Sequence, residues 1–445
     1  MESIRVLNPR FRKALVLENP HPILDETLQS QGFEVERLPE SATRDVAGVI
    51  ATLERGQHDL LFKRSRFEVT DEVLAASRRL AAVMLCCIGD DSVDKEACAR
   101  AGVLVLNDPV SNGRSVAEMV LGEIICLARR IFVAHEAGRQ HLWTKESWGR
   151  YELLEKNISV IGLGNIGRQV AQLAHAIGMN VYFYDQSETA REVGRTLGWH
   201  PCATLAEAFR VGDVVTLHVS AEDAKGRSNR NIIEFEQFRL LGADRGENCP
   251  RVFVNAARGF LYDPQALRRA VTEGIVRAAA VDVFPDEPGS SSDAWENPYA
   301  DLGAVTTTPH IGAATEEAQP RIGLHMAHSA WLLNTRGTVR DTVFNPKVSI
   351  GFDIEPPYTA LAVVHSDSRG TKKAISDAIF EAGRNNIESN HRDFARYGIA
   401  YDISAIDAPL SDDQLSGMVE SARTISGDAT AIRSIRQFPV TEGQN

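Results

Sequence analysis

The sequence predicts an α/β protein built from two parallel-sheet domains and a smaller C-terminal α+β domain. Apolar runs alternate with amphipathic stretches over most of the chain, which is typical of parallel sheets covered by helices. A glycine-rich turn, Gly162-Leu-Gly164-Asn-Ile-Gly167, joins one apolar run to a helical pattern in the middle of the chain. After Glu355-Pro-Pro357 the order becomes strand-helix-strand twice over. The chain has 445 residues, enough for three hydrophobic cores.

The first domain is predicted to comprise residues 1–112 and to be completed by residues 313–350. Helical patterns separate its apolar runs, so we expect a β-α-β series. The expected strands are KALVLE, FEVERL, DLLFKRS, AAVMLCC and VLVLND. One long helix is then predicted to begin at a capping box, Ser115-Val-Ala-Glu118, and to run to about His135.

The second domain, residues 113–312, is predicted to be a Rossmann-like domain that binds a dinucleotide. A strand at ISVIG ends in the glycine turn, a helix follows from about Ile166 to Ile177, and NVYFYD returns as the next strand. Glycines permit the tight turn, and the helix N-terminus favours a pyrophosphate. Asp185 lies 23 residues after Gly162, where a carboxylate would bind the ribose hydroxyls of NAD and repel the 2′-phosphate of NADP. The alternative is a turn with a purely structural role.

Three polar residues follow later strands of this domain: Arg258 in NAARG, Glu287 in DVFPDEP and His310 in TPHIG. Ligands bind at the carboxyl ends of the strands in such sheets. An arginine can hold a substrate carboxylate by two parallel hydrogen bonds, and a histidine paired with a carboxylate suits acid-base chemistry near neutral pH. The pattern therefore predicts hydride transfer to or from a small 2-hydroxy acid, with an ordinary buried ion pair as the alternative.

Composition narrows the classes of partner. The formal net charge of -12 argues against a nucleic-acid partner. We expect neither a secretory segment nor a membrane span, because no run approaches 18 apolar residues, and we expect a cytoplasmic protein. The six cysteines lack C-x-x-C spacing and the twelve histidines lack paired spacing, so no metal site is expected.

Taken together, GLGNIG, NAARG, DVFPDEP and TPHIG resemble the D-2-hydroxyacid dehydrogenase family. The likeness is strongest to its members that act on 3-phosphoglycerate, through KRSR at 63–66, SNGRSVAE at 111–118, WTK at 143–145 and HIGAATEEAQ at 310–319. The resemblance implies NAD-dependent oxidation of 3-phospho-D-glycerate to 3-phosphohydroxypyruvate, the first step of L-serine biosynthesis. It also implies a homo-oligomer, most naturally a tetramer made from two kinds of dimer contact.

Carried over by position, the resemblance makes His310 the acid-base group, Glu287 its partner and Arg258 the carboxylate clamp. Arg64, Arg66 and Lys145 become candidates for binding the substrate phosphate, with Lys145 coming from a neighbouring subunit. The residues implied to bind NAD are Gly162, Gly164, Asn165, Ile166, Gly167, Asp185, Ala256, Ala257, Arg258, Asp282, His310, Ile311, Gly312 and Ala313.

The sequence departs from this family at Asp90-Asp91-Ser92, where family members have small neutral polar residues. Two unit charges 4 Å apart interact by about 4 kcal/mol at an effective dielectric constant of 20. An aspartate that faced the substrate would therefore oppose an anion, whereas one facing solvent would be screened.

Residues 355–445 resemble the ACT regulatory domain, a ferredoxin-like α+β fold in which an amino acid such as L-serine binds between paired domains. Helices are expected from about Thr371 to Ala382 and from Ser411 to Arg423, and strands at TALAVVH, NIESNHRDF, GIAYDISAI and TAIRSIRQF. His365, Asp367 and Asn386 match effector-binding positions, although Asp367 replaces an expected asparagine.

Two other functions are compatible with the sequence. The chain could be another D-2-hydroxyacid dehydrogenase, for example one that interconverts 2-oxoglutarate and 2-hydroxyglutarate. A corepressor-like scaffold of the same fold, in which NADH binding drives oligomerisation, is the alternative outside the enzymes.

Overall fold

A computed structural model of the protein describes residues 4–223, 226–288, 293–344 and 354–441. The chain forms two compact units, a split unit of Met1–Ser111 with Gln319–Asn445 and a central unit of Asn112–Ala318. Among the described residues no helix combines the length and the apolar character needed to cross a bilayer. The predicted α/β class is confirmed, and residues 354–441 belong to the same compact unit as residues 4–111.

The first sheet of the split unit is parallel throughout, with its strands in the order β3 (Glu34–Arg37), β2 (Lys13–Val16), β4 (Leu60–Lys63), β5 (Ala82–Leu85) and β6 (Leu104–Asn107). The strands β4, β5 and β6 are buried at every position, which explains their continuous apolar runs. In chain order the elements are β1 Arg5–Val6, β2 Lys13–Val16, α1 Ile23–Ser30, β3 Glu34–Arg37, α2 Val46–Gly56, β4 Leu60–Lys63, α3 Asp71–Ala76, β5 Ala82–Leu85, α4 Lys95–Ala101 and β6 Leu104–Asn107.

The central unit contains a second parallel sheet, with its strands in the order β13 (Val305–Thr307), β12 (Ala278–Val281), β11 (Val252–Asn255), β10 (Val214–Leu217), β7 (Asn157–Ile161), β8 (Asn180–Tyr184) and β9 (His200–Pro201). Its elements are α5 Gly113–Ala128, α6 Ile131–Arg139, β7 Asn157–Ile161, α7 Asn165–Ala176, β8 Asn180–Tyr184, α8 Glu188–Thr196, β9 His200–Pro201, α9 Leu205–Val211, β10 Val214–Leu217, α10 Phe235–Leu240, β11 Val252–Asn255, α11 Pro264–Thr272, β12 Ala278–Val281 and β13 Val305–Thr307. The chain winds outward from β7 through β8 on one side and from β10 on the other. This reversal opens a crevice at the carboxyl ends of β7 and β10.

The single long helix predicted between Ser115 and His135 is wrong, because α5 and α6 are separate helices. Arg130 adopts a left-handed conformation with a φ of 55°, which ends the helical hydrogen-bond pattern. The N–H of Tyr151 donates to the carbonyl of Ala128 at 2.9 Å and so satisfies the C-terminal end of α5. The predicted capping box is also wrong, since α5 begins at Gly113, before Ser115.

The remaining elements of the chain are α12 Ala318–Arg336, β14 Tyr358–Ser366, α13 Thr371–Glu381, β15 Asn386–Phe394, β16 Ile399–Ile406, α14 Asp412–Ser426 and β17 Ile432–Val440. The last four strands form an antiparallel sheet of order β17-β14-β16-β15, which is the predicted ferredoxin-like arrangement. The N-terminal strand β1 adds to this sheet in parallel beside β17, a contact that the sequence analysis did not anticipate.

Arg436 of β17 fastens the C-terminal sheet to the rest of the split unit. Its buried guanidinium donates to the carbonyls of Leu333 at 2.6 Å, Pro9 at 2.9 Å and Asn8 at 3.2 Å. It also lies between two aromatic rings, 3.8 Å from the centroid of Phe11 and 4.0 Å from that of Phe438. One side chain therefore connects β17 with the N-terminal segment and with α12.

We expect Arg436→Met to lower the free energy of unfolding by about 3–5 kcal/mol, because it leaves several buried carbonyls without donors. Urea denaturation followed by far-UV circular dichroism measures this change. Arg55→Met is the matched control, because the Arg55 side chain is 69% exposed and should change stability by less than about 0.5 kcal/mol. Equal stability of the two variants would show that Arg436 does not join these segments energetically.

Candidate active site

The glycine turn after β7 has the geometry of a dinucleotide-binding turn. Gly162 has a φ of 92°, a region that L side chains rarely adopt. A Cβ on Gly167 would lie 2.0 Å from the carbonyl oxygen of Gly162, so only glycine fits there. No side chain caps α7 at Gly164, and a Cβ at Gly164 would meet nothing within 4 Å. The first turn of α7 can therefore present its N–H groups to a pyrophosphate in open space.

Asp185 follows β8 and is held against this turn. Its Oδ2 accepts the N–H of Leu163 at 2.7 Å, and its Oδ1 accepts the N–H of Ser187 at 2.7 Å. Each carboxylate oxygen has a second acceptor position. The turn and the carboxylate beside it fit the pyrophosphate and ribose of NAD, the cofactor expected from the sequence.

Arg258 lies in a turn after β11 that is shaped by a fully buried side chain, Asn255. Asn255 accepts the N–H of Ala257 at 3.0 Å and donates to the carbonyl of Arg258 at 2.9 Å. A Cβ on Gly259 would lie 2.0 Å from the carbonyl carbon of Phe284, so the turn after β11 lies directly against the chain that follows β12. Arg258 is half-buried, and its Nη1 donates to the carbonyl of Ala257 at 2.9 Å.

The loop that carries His310 is organised by Asp282, which follows β12 and is almost fully buried. Its Oδ1 accepts the hydroxyl of Thr308 at 2.6 Å and the N–H of Ile311 at 2.9 Å, and its Oδ2 accepts the N–H of Gly312 at 2.9 Å. The N–H of His310 donates to the carbonyl of Asp282 at 2.8 Å. These bonds hold His310 in a left-handed conformation with a φ of 55°.

His310 and Glu287 form a hydrogen-bonded pair, with 2.7 Å between Nδ1 and Oε2. A carboxylate only accepts, so Nδ1 carries the proton and Nε2 is the nitrogen that can exchange a proton with a substrate. The hydrogen bond that His310 donates to Glu287 raises the pKa of His310, although burial opposes it. Burial favours a higher pKa for Glu287, but the hydrogen bond and charge of His310 and the N–H of Phe284 outweigh it and lower that pKa.

The charge of Arg258 lowers the pKa of both His310 and Glu287, which places the three groups within electrostatic reach of one another. They follow β11, β12 and β13, which are neighbours in the sheet and paired so that Asn255, Val281 and Thr307 lie level. The structure therefore brings the three predicted catalytic residues together. They lie on the same edge of the sheet as the glycine turn.

Arg64 and Arg66 lie after β4 in the split unit, in a loop organised by Glu18. This buried carboxylate accepts the N–H groups of Arg64 and Arg66 at 2.6 Å and that of Phe67 at 2.7 Å. The Arg64 side chain is half-buried, and the exposed Arg66 pairs with Glu40 at 3.1 Å. Nothing in the sequence marks Glu18, because its partners are backbone groups 46 to 49 residues away.

The aspartates that depart from the family pattern follow β5. Asp90 forms an ion pair with Lys95, 2.9 Å between Oδ2 and Nζ, in which the two side chains are 29% and 14% exposed. The adjacent Ser92 accepts a hydrogen bond from Lys63 at 2.6 Å. The charge of Asp90 is thus compensated locally, while Asp91 is exposed.

Lys145 lies in an exposed segment of the central unit between α6 and β7. Two tryptophans flank it, Trp143 at 90% and Trp148 at 84% exposure. Further exposed apolar side chains surround them in sequence: Ile131, Phe132, Val133, Leu142 and Leu154.

The predicted effector residues do not meet within one chain. His365 is buried near the end of β14, and Asp367 is exposed just after that strand. Asn386 begins β15 and is level with Thr359 at the start of β14, through their shared partner Ile406. Six residues of strand separate Thr359 from His365, which corresponds to about 20 Å.

The sequence is similar to those of known proteins. Residues 121–312 match the family described as D-isomer specific 2-hydroxyacid dehydrogenase, NAD binding domain. The chain is 32% identical over 421 residues to the D-3-phosphoglycerate dehydrogenase of Escherichia coli strain K12, which covers 94% of this chain and 96% of the relative. It is 30% identical over 417 residues to the enzyme of the same name from Dictyostelium discoideum, with 93% and 96% covered.

Solved structures show a similar fold. A glyoxylate reductase from Paecilomyes thermophila aligns with a TM-score of 0.62 and 23% identity, over 75% of this chain and 98% of that one. A D-lactate dehydrogenase from Aquifex aeolicus, solved with NAD and lactic acid, aligns with a TM-score of 0.58 and 24% identity, over 72% and 95% of the two chains.

Proposed function

The chain belongs to the D-isomer specific 2-hydroxyacid dehydrogenase family, and from this premise we propose that it oxidises 3-phospho-D-glycerate to 3-phosphohydroxypyruvate. It is an NAD-dependent oxidoreductase. The observation that carries the proposal is the His310–Glu287 pair beside Arg258, on the same edge of the sheet as the glycine turn.

Arg258, His310 and Glu287 each have a separate role in the proposed oxidation. The planar fork of Arg258 binds the substrate carboxylate and orients the neighbouring C2 carbon. The lone pair on Nε2 of His310 accepts the proton of the C2 hydroxyl, and Glu287 stabilises the imidazolium that forms. NAD⁺ supplies the acceptor for the hydride that leaves C2.

Charge in the split unit supports an anionic substrate. Arg64 and Arg66 are proposed to bind the phosphate, in the loop that Glu18 holds in shape. The pairing of Asp90 with Lys95 removes much of the repulsion that the loop at Asp90-Asp91-Ser92 would otherwise exert on an anionic substrate. The reaction would be the first step of L-serine biosynthesis. It would take place in the cytoplasm, since all six cysteines are free thiols.

A second copy of the chain is proposed to cover the exposed apolar side chains around Trp143 and Trp148. Two tryptophans exposed to this degree are unusual on a monomer surface. Lys145 lies between them, so pairing would carry its ammonium into the neighbouring subunit, where it would join the phosphate site. Pairing of the C-terminal sheets through a second contact would complete a tetramer.

An amino-acid effector such as L-serine is proposed to bind between two C-terminal domains. Because His365 and Asn386 lie at opposite ends of the sheet in one chain, an effector that touched both would need one residue from each of two chains. Asp367 would accept from the effector's ammonium group.

Steady-state assays of NADH formation with 3-phospho-D-glycerate and with D-glycerate test the proposed substrate. We expect kcat/KM to be higher for the phosphorylated acid by about 10² or more, because the phosphate gains charge-assisted hydrogen bonds. L-serine should inhibit and glycine serves as its control. Equal rates with both acids, or faster turnover of 2-oxoglutarate with NADH, would assign the chain to another member of the family. Inhibition by a different amino acid would overturn the assignment of serine.

A further inference from the structure

Three metal-ligating side chains meet on the C-terminal sheet. His365 of β14, His391 of β15 and Asp402 of β16 place their ligand atoms within 4.8 Å of one another. His391 and Asp402 are paired across neighbouring strands, with 3.4 Å between Nδ1 and Oδ2. The rings of His365 and His391 lie 5.4 Å apart between centroids. Spacing along the chain could not reveal this cluster, because each residue comes from a different strand.

His365 is the second observation that points to a ligand. Its side chain is almost fully buried, with 2% of the residue exposed. Its Nδ1 donates to the carbonyl of Ser366 at 2.8 Å, so the lone pair lies on Nε2. In the described part of the chain Nε2 has no hydrogen-bond partner, and a buried polar atom left unpaired costs about 1–3 kcal/mol. A cation bound at Nε2 would remove that cost, and it would then occupy the nitrogen that is otherwise available to the proposed effector.

We propose that His365, His391 and Asp402 bind a divalent transition-metal cation of the zinc type. Two imidazole nitrogens and one carboxylate oxygen are ligands that zinc prefers. In a tetrahedral site with bonds of about 2.0–2.1 Å the ligand atoms lie about 3.3 Å apart, close to the 3.4 Å between His391 and Asp402. Three protein ligands leave a fourth position for water or for a ligand from solution.

The groups around the cluster are arranged as supports for the ligands. The carbonyl of Ser366 fixes the tautomer of His365, as second partners of ligating histidines do. The hydroxyl of Ser404 donates to Oδ1 of Asp402 at 3.2 Å. His391 has a side-chain exposure of 32% and gives the cation access from solvent.

Lys372 is the group that a cation must displace. Its ammonium pairs with Oδ2 of Asp402, a carboxylate with no exposed surface that requires a compensating charge. The Lys372 side chain is 38% exposed, so it can swing into solvent when a cation takes over this role. Metal binding at this site therefore replaces the ammonium of Lys372 with a metal ion from solution as the positive charge beside Asp402. Removal of Lys372 should tighten metal binding.

Cobalt(II) titration of the full-length protein, after treatment with a chelator, tests the proposal. We expect visible d–d absorption that saturates at one equivalent per chain and is lost on addition of Zn²⁺. His391→Ala and Asp402→Asn should each weaken binding by about tenfold or more, and Lys372→Met should strengthen it by about tenfold. His175→Asn, at an exposed position of α7, is the matched control and should bind as the parent protein does.

His310→Asn separates this cluster from the active site, because it removes a histidine of the central unit and should leave cobalt binding intact. Absorption that disappears in His310→Asn but persists in His391→Ala would overturn the proposal. So would the absence of saturable absorption in the parent protein, or an affinity unchanged by Lys372→Met. The readout is metal binding, so a chain with another dehydrogenase substrate could still confirm the site.

Discussion

Replacing His310 with asparagine is expected to lower kcat for oxidation by about 10²–10⁴, the usual contribution of a positioned acid-base group. Asparagine is the suitable replacement because His310 has a left-handed backbone with a φ of 55°, which asparagine tolerates better than alanine. The amide keeps hydrogen-bonding capacity toward Glu287 but cannot accept the hydroxyl proton. The affinity for NADH, measured by fluorescence titration, should remain close to that of the parent protein.

His175→Asn is again the matched control and should leave kcat unchanged. A kcat for His310→Asn within a few-fold of the parent value would remove His310 from the chemistry. A parallel loss of NADH affinity would instead indicate that the substitution had disturbed the loop at residues 308–312, which Asp282 holds by hydrogen bonds.

The same pair predicts a pH dependence. In the proposed mechanism oxidation requires unprotonated His310, so kcat/KM should rise with pH through the pKa of this residue, which the hydrogen bond to Glu287 raises. In Glu287→Gln the pKa of His310 should fall, and the rising limb should move to lower pH. Reduction of the 2-oxo acid requires protonated His310, so its falling limb should move in the same direction. Limbs that stay in place would contradict a proton held by His310.

The sequence was enough to predict that the parts of the candidate site lie close together, because each part is local. Gly162, Gly164 and Gly167 lie within one turn between a strand and a helix. The apolar run before this turn and the helical pattern after it are both visible in the sequence. Arg258, Glu287 and His310 each follow an apolar run, and neighbouring parallel strands end at one edge. Strand order was therefore enough to bring the three side chains together.

Some side chains that hold the site in shape could not be predicted, because their hydrogen-bond partners are backbone groups. Asn255 and Glu18 bond to backbone N–H groups and carbonyls, and any residue type supplies those. Asp282 also accepts hydrogen bonds from Thr308, Ile311 and Gly312, and its expected place at the cofactor stays a prediction. Hydrogen bonds to the backbone depend on the path of the chain in three dimensions, and the residue types in the sequence do not reveal that path.

Tertiary contacts also determine the position or the ends of elements that could not be predicted from the sequence. The strand β1 consists of two residues and is stabilised by β17, far away in the chain. The break between α5 and α6 occurs at Arg130 without glycine or proline, while Tyr151 bonds to the end of α5. The cluster on the C-terminal sheet depends on the register of β15 and β16, which pairs His391 with Asp402.

Replacing Arg258 with methionine is expected to lower kcat/KM by about 10²–10⁴, since two charge-assisted hydrogen bonds contribute about 1.5–3 kcal/mol each. Lysine keeps the charge but not the planar fork, so Arg258→Lys should recover only part of the loss. Added guanidinium should partly restore the activity of Arg258→Ala. Arg239→Lys, at an exposed pair with Glu236 on α10, is the control and should retain full activity.

The pH profile of Arg258→Met distinguishes a carboxylate clamp from a charge that acts only on His310. The positive charge of Arg258 lowers the pKa of His310, so its removal should move the rising limb of oxidation to higher pH. If this were the whole role, activity would return to the parent level on the alkaline plateau, and lysine would restore it at every pH. A clamp predicts that the loss persists on that plateau, because the missing bonds to the carboxylate do not depend on the protonation of His310. Full recovery at high pH would therefore leave the substrate carboxylate without its proposed partner.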